Sequence, residues 1–240
     1  MTHILAIDTS SAWCSVALSL TDAAPVIRHQ KVSAGASQLL LPWVEELLSE
    51  ASINLSDLDA IAIGVGPGAF TGVRLGVAAV QGLAIAASLP VLPVASLDAI
   101  ASQLILTPGF IASGASSFVI AVDARMDEVY WARYQVVANQ LPQRQGVIHL
   151  TSPEEIELSN IEFLAGSAIT EFGERVFAKM PNALASSHLD PEIGVNALGV
   201  LACAKTMWSQ GLQQDVHLLE PLYIRDKVAL TSIERSQQHG

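Results

Sequence analysis

The sequence predicts an α/β protein of two subdomains, each a mixed sheet flanked by helices. Three observations lead there. An apolar run, Ala60-Ile-Ala-Ile63, enters the glycine-rich stretch Gly64-Val-Gly-Pro-Gly-Ala-Phe-Thr-Gly-Val-Arg-Leu-Gly76, and a long apolar segment with helical spacing leaves it. Strand, tight loop and helix in that order is the unit of an α/β layer. The order strand, polar turn, strand occurs near residue 4 and again near residue 118, so the two halves open alike. After each opening, apolar runs alternate with longer periodic segments rather than with further hairpins.

In chain order, Ile4-Leu-Ala-Ile7 reads as a buried strand, Asp8-Thr-Ser-Ser11 as a turn and Cys14-Ser-Val-Ala-Leu18 as the returning strand. Asp8 can cap its own turn by accepting a backbone N–H two residues on. A third strand is expected over 26–32, after a turn at 22–25. A helix follows over 37–51. Leu40, Val44, Leu47 and Leu48 form its core stripe, and Leu39 and Trp43 a second apolar stripe beside it. Pro42 lacks an amide donor, which predicts an irregular first turn. Beyond the glycine loop a helix is expected over 71–88, with Thr71 as its N-cap. Val73, Val77, Val80 and Ala84 line one side, and Leu75, Ala79, Gly82 and Ala86 another. A helix apolar on every face is expected to be buried on every face. Arg74 is the single charge between Asp59 and Asp98. A cation on a first turn opposes the helix dipole, so Arg74 is expected to have an anionic partner, either Asp8 or a group across an interface. A strand over 91–95 and a helix capped by Ser96 lead to Thr107-Pro-Gly109. The small residues of 110–117 read as a linker. The expected division is 1–108 for the N-terminal subdomain, joined by 218–240, and 109–217 for the second.

The second half should hold strands over 118–122 and 128–136, with a turn at 123–127 that contains Arg125. A strand over 147–150, a helix start at Ser152-Pro-Glu-Glu155, a strand over 162–165 and a helix over 170–180 follow. A helix over 195–211 is expected to cross back to the first half. The polar tail begins at Ser232. Arg125 is open between a solvated turn residue and a functional one.

At 240 residues the chain can bury roughly 70–75% of its unfolded surface. It needs no disulfide, and Cys14 and Cys203 read as buried thiols of a reducing compartment. The opening has no basic region before its apolar run, and Asp8 interrupts that run, which argues against a signal peptide. The uncharged runs 75–97 and 99–122 are long enough to span a membrane, but prolines and glycines break both. A cytoplasmic protein without a membrane span is the expectation. With 12 basic against 23 acidic residues, the formal net charge is −11. Nucleic-acid affinity comes largely from phosphate neutralisation, so any service to RNA must go through a partner.

The glycine loop admits several chemistries. No Gly-Lys-Ser/Thr follows it, so it is not a P-loop. Gly64, Gly66 and Ala69 fit a dinucleotide fingerprint, but the acid about 20 residues on that would bind the ribose is missing. A tight turn that packs a helix on a sheet is the plain alternative. Gly66-Pro-Gly-Ala-Phe-Thr-Gly-Val-Arg74 also resembles the G-P-G-S-F-T-G-[LV]-R signature of the TsaB (YeaZ) family, with Ala69 in place of Ser. Four more stretches resemble that family in its order. They are Ile4-Leu-Ala-Ile-Asp-Thr-Ser10 with Ser15-Val-Ala-Leu18, Leu40-Leu-Pro42, Asp123-Ala-Arg-Met-Asp-Glu-Val-Tyr130 and Pro221-Leu-Tyr-Ile-Arg225. The resemblance therefore covers the whole chain.

The resemblance implies two actin-like, RNase H-like subdomains of the actin, Hsp70 and sugar-kinase (ASKHA) superfamily. In that superfamily the opening hairpin cradles phosphate, but the usual glycine of this first phosphate loop is missing here. Asp8, Thr9, Ser10, Gly66 and Gly68 remain candidates for a nucleotide, ATP or ADP, bound only within a complex. No firm cofactor is expected. The histidines, at 3, 29, 149, 188, 217 and 239, lack the H-x-x-x-H spacing by which the related TsaD holds a metal. H-E-x-x-H and G-x-S-x-G are absent from the sequence as well. The resemblance thus implies a non-catalytic subunit that pairs with TsaD, or with itself when alone. With the ATPase TsaE, that pair transfers threonylcarbamoyl to the adenosine beside the anticodon. A sugar- or acetate-kinase-like phosphotransferase is the rival, and a peptidase a remote third. The expected interface is Leu39 and Trp43 of the first helix with Val73, Arg74, Val77, Ala79, Val80 and Gly82 of the second. Given its charge, the isolated chain should bind tRNA weakly. A gel shift at ~150 mM salt should show no submicromolar complex.

Overall fold

The chain forms two five-stranded sheets on one plan. The computed structural model describes residues 2–21, 23–32, 35–180 and 184–225. The first sheet holds β1 (Ile4–Asp8), β2 (Trp13–Ser19), β3 (Val26–Lys31), β4 (Ala60–Gly66) and β5 (Val91–Ala95), in the order β3-β2-β1-β4-β5. The second holds β6 (Ser117–Asp123), β7 (Val129–Gln135), β8 (Gln143–Thr151), β9 (Phe163–Ala165) and β10 (Leu189–Asp190), in the order β10-β9-β6-β7-β8. Counted from the first strand of each half, both orders are third, second, first, fourth, fifth. The first three strands of each half pair antiparallel and the last two join in parallel. Antiparallel neighbours need only a short turn, whereas parallel ones need a crossover. In the first half the crossovers are the helices α1 (Ala36–Glu50) and α2 (Phe70–Ala87). Three further helices, α3 (Ser96–Leu104), α4 (Pro108–Ser113) and α5 (Ala168–Phe172), precede the long α6 (Ala197–Ser209).

Burial follows from this layering. Leu5, Ile7, Ile61 and Ile63 face α1 and α2 on one side of the first sheet. Ile4, Ala6, Ala62 and Leu92 face the other way, into a cluster that passes through Leu97, Ile100, Val200 and Leu201 to Phe118, Ile120 and Phe163 of the second sheet. Central strands covered on both faces read as unbroken apolar runs, which is the pattern of 4–7 and 60–63. α6 lies within the stretch 109–217, yet it packs on β1, β4 and β5 as well as on α3. Its first amide, at Ala197, donates to Ser15 Oγ at 2.9 Å. Between the halves, the Tyr134 hydroxyl donates to Asp98 Oδ1 at 2.7 Å, and Arg144 approaches the same carboxylate at 3.7 Å.

Packing overrides several local expectations. α2 starts at Phe70, not Thr71, because Ala69 is held by its N–H to Ser10 O (2.7 Å) while its carbonyl accepts from Val73 N–H (2.9 Å). α1 runs through Pro42 without a break. Pro42 is on the exposed side, where a carbonyl that lacks its intrahelical donor meets solvent. Ser96 is the first residue of α3 rather than its cap. The supposed linker forms α4, capped by Thr107 Oγ1, which accepts from Phe110 N–H at 3.3 Å. The expected helix over 170–180 breaks after Phe172, where Gly173 takes φ +54°, and continues as a 3₁₀ turn over Gly173–Phe177. The two-residue strand β10 has no sequence signal of its own. Residues 226–240, with the polar tail and part of the 218–240 segment, lie outside the described residues.

Among the described residues α2 is the one helix long and apolar enough to cross a membrane. Here its Val73, Gly76, Val77, Val80 and Ala84 pack on the sheet. Phe110 of α4 is 4% exposed, with ring centroids 5.1 Å from both Phe118 and Phe163. Phe110→Ala should therefore cost about 3–5 kcal/mol of stability, to be read from the shift in urea midpoint.

Candidate functional site

The glycine loop and the β1–β2 turn are pressed against each other, backbone to backbone. A Cβ at Gly68 would overlap the Ser10 carbonyl, one at Gly72 the Thr9 carbonyl, and one at Gly64 the Asp8 carboxylate. The glycines are thus required by close approach. Thr9 Oγ1 donates to Gly72 O at 2.7 Å, and a Cβ at Gly76 would stand 2.7 Å from that hydroxyl. The nucleotide candidates Asp8, Thr9, Ser10, Gly66 and Gly68 all lie on this turn and loop, with Gly68 against Ser10. Gly66 ends β4 and is buried, with φ +96°.

Asp8 is fully buried. Its Oδ1 accepts from Ser10 N–H at 3.0 Å, which closes the turn, and its Oδ2 accepts from Ser10 Oγ at 2.9 Å. Ser10 Oγ lies 2.9 Å from Ser96 Oγ. With the Ser10 hydrogen given to an ionised Asp8, Ser96 is the donor in that pair. Loss of solvent raises the Asp8 pKa to about 7 against the ordinary 3.8, and the Ser10 hydrogen bonds offset only part of the rise. Burial, with Asp8 nearby, likewise pushes the Cys14 thiol up to about 11. Both cysteines are buried and unbridged.

The interface candidates separate into two groups. Val73, Val77 and Val80 are buried on the sheet, which corrects their assignment to a docking face. Within this chain α2 is buried on its sheet side only. Arg74, Ala78, Gly82, Ile85 and Ala86 are exposed, and Leu75 and Ala79 half-buried. Ile85 is 55% exposed and Leu41 of α1 52%. α2 has an open side because one sheet covers only one side of it, and that open side is largely apolar. Leu39 and Trp43 are half-buried against the core. By helical spacing they share the flank of α1 that carries Glu46 and Glu50. Both of those acids pair with Arg28 of the edge strand β3.

Arg74 does not meet Asp8, whose carboxylate is enclosed by Ser10 and Gly64. Its guanidinium lies 3.3 Å from the Phe70 ring centroid, and its Nε donates to the Tyr223 hydroxyl at 3.0 Å. Tyr223 belongs to a strap in which Gln81 Nε2 donates to Leu219 O (2.9 Å) and Leu222 N–H to Val65 O (2.8 Å). The strap ends at Arg225, which pairs with Glu128 and donates to Ala124 O at 3.1 Å. It thus ties the glycine loop to the β6–β7 turn. In that turn Arg125, Met126 and Asp127 all take φ near +60°, a left-handed geometry that is costly for residues with side chains. Arg125 is 79% exposed and pairs with Asp123 at 3.0 Å. Sequence reasoning missed Phe70, Tyr223, Glu128 and Ser96. Three of these stood inside quoted motifs, but nothing local shows which motifs meet.

Comparison with known proteins agrees on one family. Residues 28–176 match the family model described as TsaD, tRNA N6-adenosine threonylcarbamoyltransferase. The tRNA threonylcarbamoyladenosine biosynthesis protein TsaB of Escherichia coli (strain K12) is 33% identical, across 95% of this chain and 96% of that protein. TsaB of Haemophilus influenzae (strain ATCC 51907) is 33% identical, with 94% of each covered. Among solved structures, YeaZ from Pseudomonas aeruginosa superposes with a TM-score of 0.80 at 36% identity, over 93% of this chain and 100% of that one. A second Pseudomonas aeruginosa structure, titled as an uncharacterized protein with similarity to peptidase YEAZ, gives 0.83 at 36% identity, over 94% and 100%.

Asp8 makes stability depend on pH with a definite sign. Between its unfolded value of 3.8 and its folded value of about 7, the native state holds a proton that the unfolded chain has lost. Rising pH over that interval therefore favours unfolding. Asp8→Asn, neutral throughout, should abolish this component. The wild-type minus variant difference in urea stability should fall from pH 4 to 7 and level off above.

Proposed function

The chain belongs to the TsaB family, whose members take part in tRNA threonylcarbamoyladenosine biosynthesis, and from that premise we propose that it is the non-catalytic partner subunit of TsaD. The observation that carries the reading is the open side of α2. An apolar stripe from Leu75 to Ala86 is the kind of surface that a folded chain covers with another chain. The small side chains of Ala78, Ala79 and Gly82 allow a partner helix to come close, and a Cβ at Gly82 would meet nothing within 4 Å.

The hairpin seat supports the accessory role. Where kinases of this superfamily hold phosphate, this chain sets Thr9 and Ser10 directly against Gly68 and Gly72. Nucleotide chemistry then belongs to TsaD and to the ATPase TsaE, and tRNA reaches the complex through TsaD. The complex works in the cytoplasm, and without TsaD the same face pairs two copies of this chain.

The test is co-purification with TsaD, followed by a threonylcarbamoyl-transfer assay with and without this chain. Gly82→Glu and Ile85→Arg add charge to exposed positions, so both should fold, as circular dichroism will show. Each should lower TsaD capture and transfer by at least about tenfold. Capture undiminished in both folded variants would place the interface elsewhere. Steady ATP hydrolysis by the pure chain, lost in Asp8→Ala, would favour the kinase-like reading.

A further inference from the structure

The exposed side of α2 carries one charge, Arg74, and its surroundings prepare it for an anion. The guanidinium lies over Phe70, its carbon 3.3 Å from the ring centroid. The Tyr223 ring is 5.4 Å away on the strap, and its hydroxyl takes the Nε hydrogen. The terminal nitrogens, and so four of the five N–H donors, have no partner among the described residues. No carboxylate of those residues comes within 4 Å. A guanidinium already oriented by two aromatic groups loses little freedom when it binds. It sits beside Leu75 and Ala78, so a partner that covers the stripe also excludes water from any charge pair formed there.

We propose that the surface covering α2 brings a carboxylate to Arg74, so that the partner is an apolar helical face with an Asp or Glu at that point. This rests on the reading of α2 as the face that docks TsaD. Charge complementarity favours a different protein over a second copy. α2 itself holds no acid, and beside it only Glu45 of α1 and Glu220 of the strap, both exposed and unpaired among the described residues, could reach across from another copy, since Glu46 and Glu50 are taken by Arg28. An uncompensated Arg74 would instead be stripped of water under the partner, which costs association. Tyr223 is a positioning residue in this scheme, since it acts on the partner through Arg74.

Binding of the full chain to purified TsaD tests this by titration calorimetry. Arg74→Ala should weaken binding about 10–100-fold and Arg74→Glu further, as truncation of one member of a covered charge pair does. Arg74→Lys keeps the charge but loses the fork and the stacking, and should fall between wild type and Arg74→Ala. Tyr223→Phe should cost less than Arg74→Ala and nothing further in an Arg74→Ala background. The decisive arm pairs Arg74→Glu with TsaD variants in which single Asp or Glu residues of its surface helices are changed to Arg. One of these should restore binding. Wild-type affinity in Arg74→Ala, with binding lost in Gly82→Glu, overturns the carboxylate and leaves the docking face. Failure of every charge swap overturns it too. Restoration of homodimers of Arg74→Glu by Glu45→Arg or Glu220→Arg in the same chain shows that the carboxylate belongs to a second copy, which overturns the assignment to TsaD. Absence of binding by the wild-type chain removes the docking reading itself, and the proposal with it.

Discussion

The contact on which the rest of the structure depends is the one between the turn after β1 and the loop after β4. Backbone meets backbone there, with Gly68 against Ser10 and Gly72 against Thr9. That contact sets where α2 begins, since Ala69 N–H is held by the Ser10 carbonyl. It also closes over Asp8, whose carboxylate faces Gly64 and the Ser10–Ser96 hydroxyl pair with no route to water. The glycines of this loop stand where a Cβ would overlap the Asp8 carboxylate or the Ser10 and Thr9 carbonyls.

The second constraint is that the two sheets share one core. α3 and α6 lie between them, and the apolar cluster is continuous from Ile4 to Phe163. Relative motion of the halves would have to open this cluster and separate Tyr134 from Asp98. The strap from Leu219 to Arg225 adds polar ties to α2, to β4 and to the β6–β7 turn. The strap thus contacts both the α2 face and the second hairpin. Arg225 also holds the carbonyl of Ala124 at the entrance to the left-handed turn, which a turn of three side-chain-bearing residues would not adopt unsupported.

Much of the fold was legible in the residues. Strands buried on both faces appear as unbroken Ile, Leu and Ala runs, and the core stripe of α1 was read off at Leu40, Val44, Leu47 and Leu48, all buried. The five motifs pointed to the family because they occur together and in its order. Less was legible of the site. Helical spacing divides α2 into faces but cannot say which face the sheet takes, because every face is apolar. Val73 and Val77 looked no different from Ala79 and Gly82 until packing separated them. Arg74 announced itself as a charge in need of company, but its neighbours Phe70 and Tyr223 are four and 149 residues away in sequence.

The sequence by itself determined the α/β class, the repeated hairpin opening, the family and the net negative charge, because these follow from local pattern and composition. Tertiary structure alone decided that the glycines answer to Ser10 and Thr9, that Arg225 reaches the turn at Ala124, and that the open side of α2 is the Ala78–Gly82–Ile85 side. Each of these is a contact between residues remote in sequence. Such contacts depend on how two sheets and a strap come together, and no spacing within a single segment encodes that.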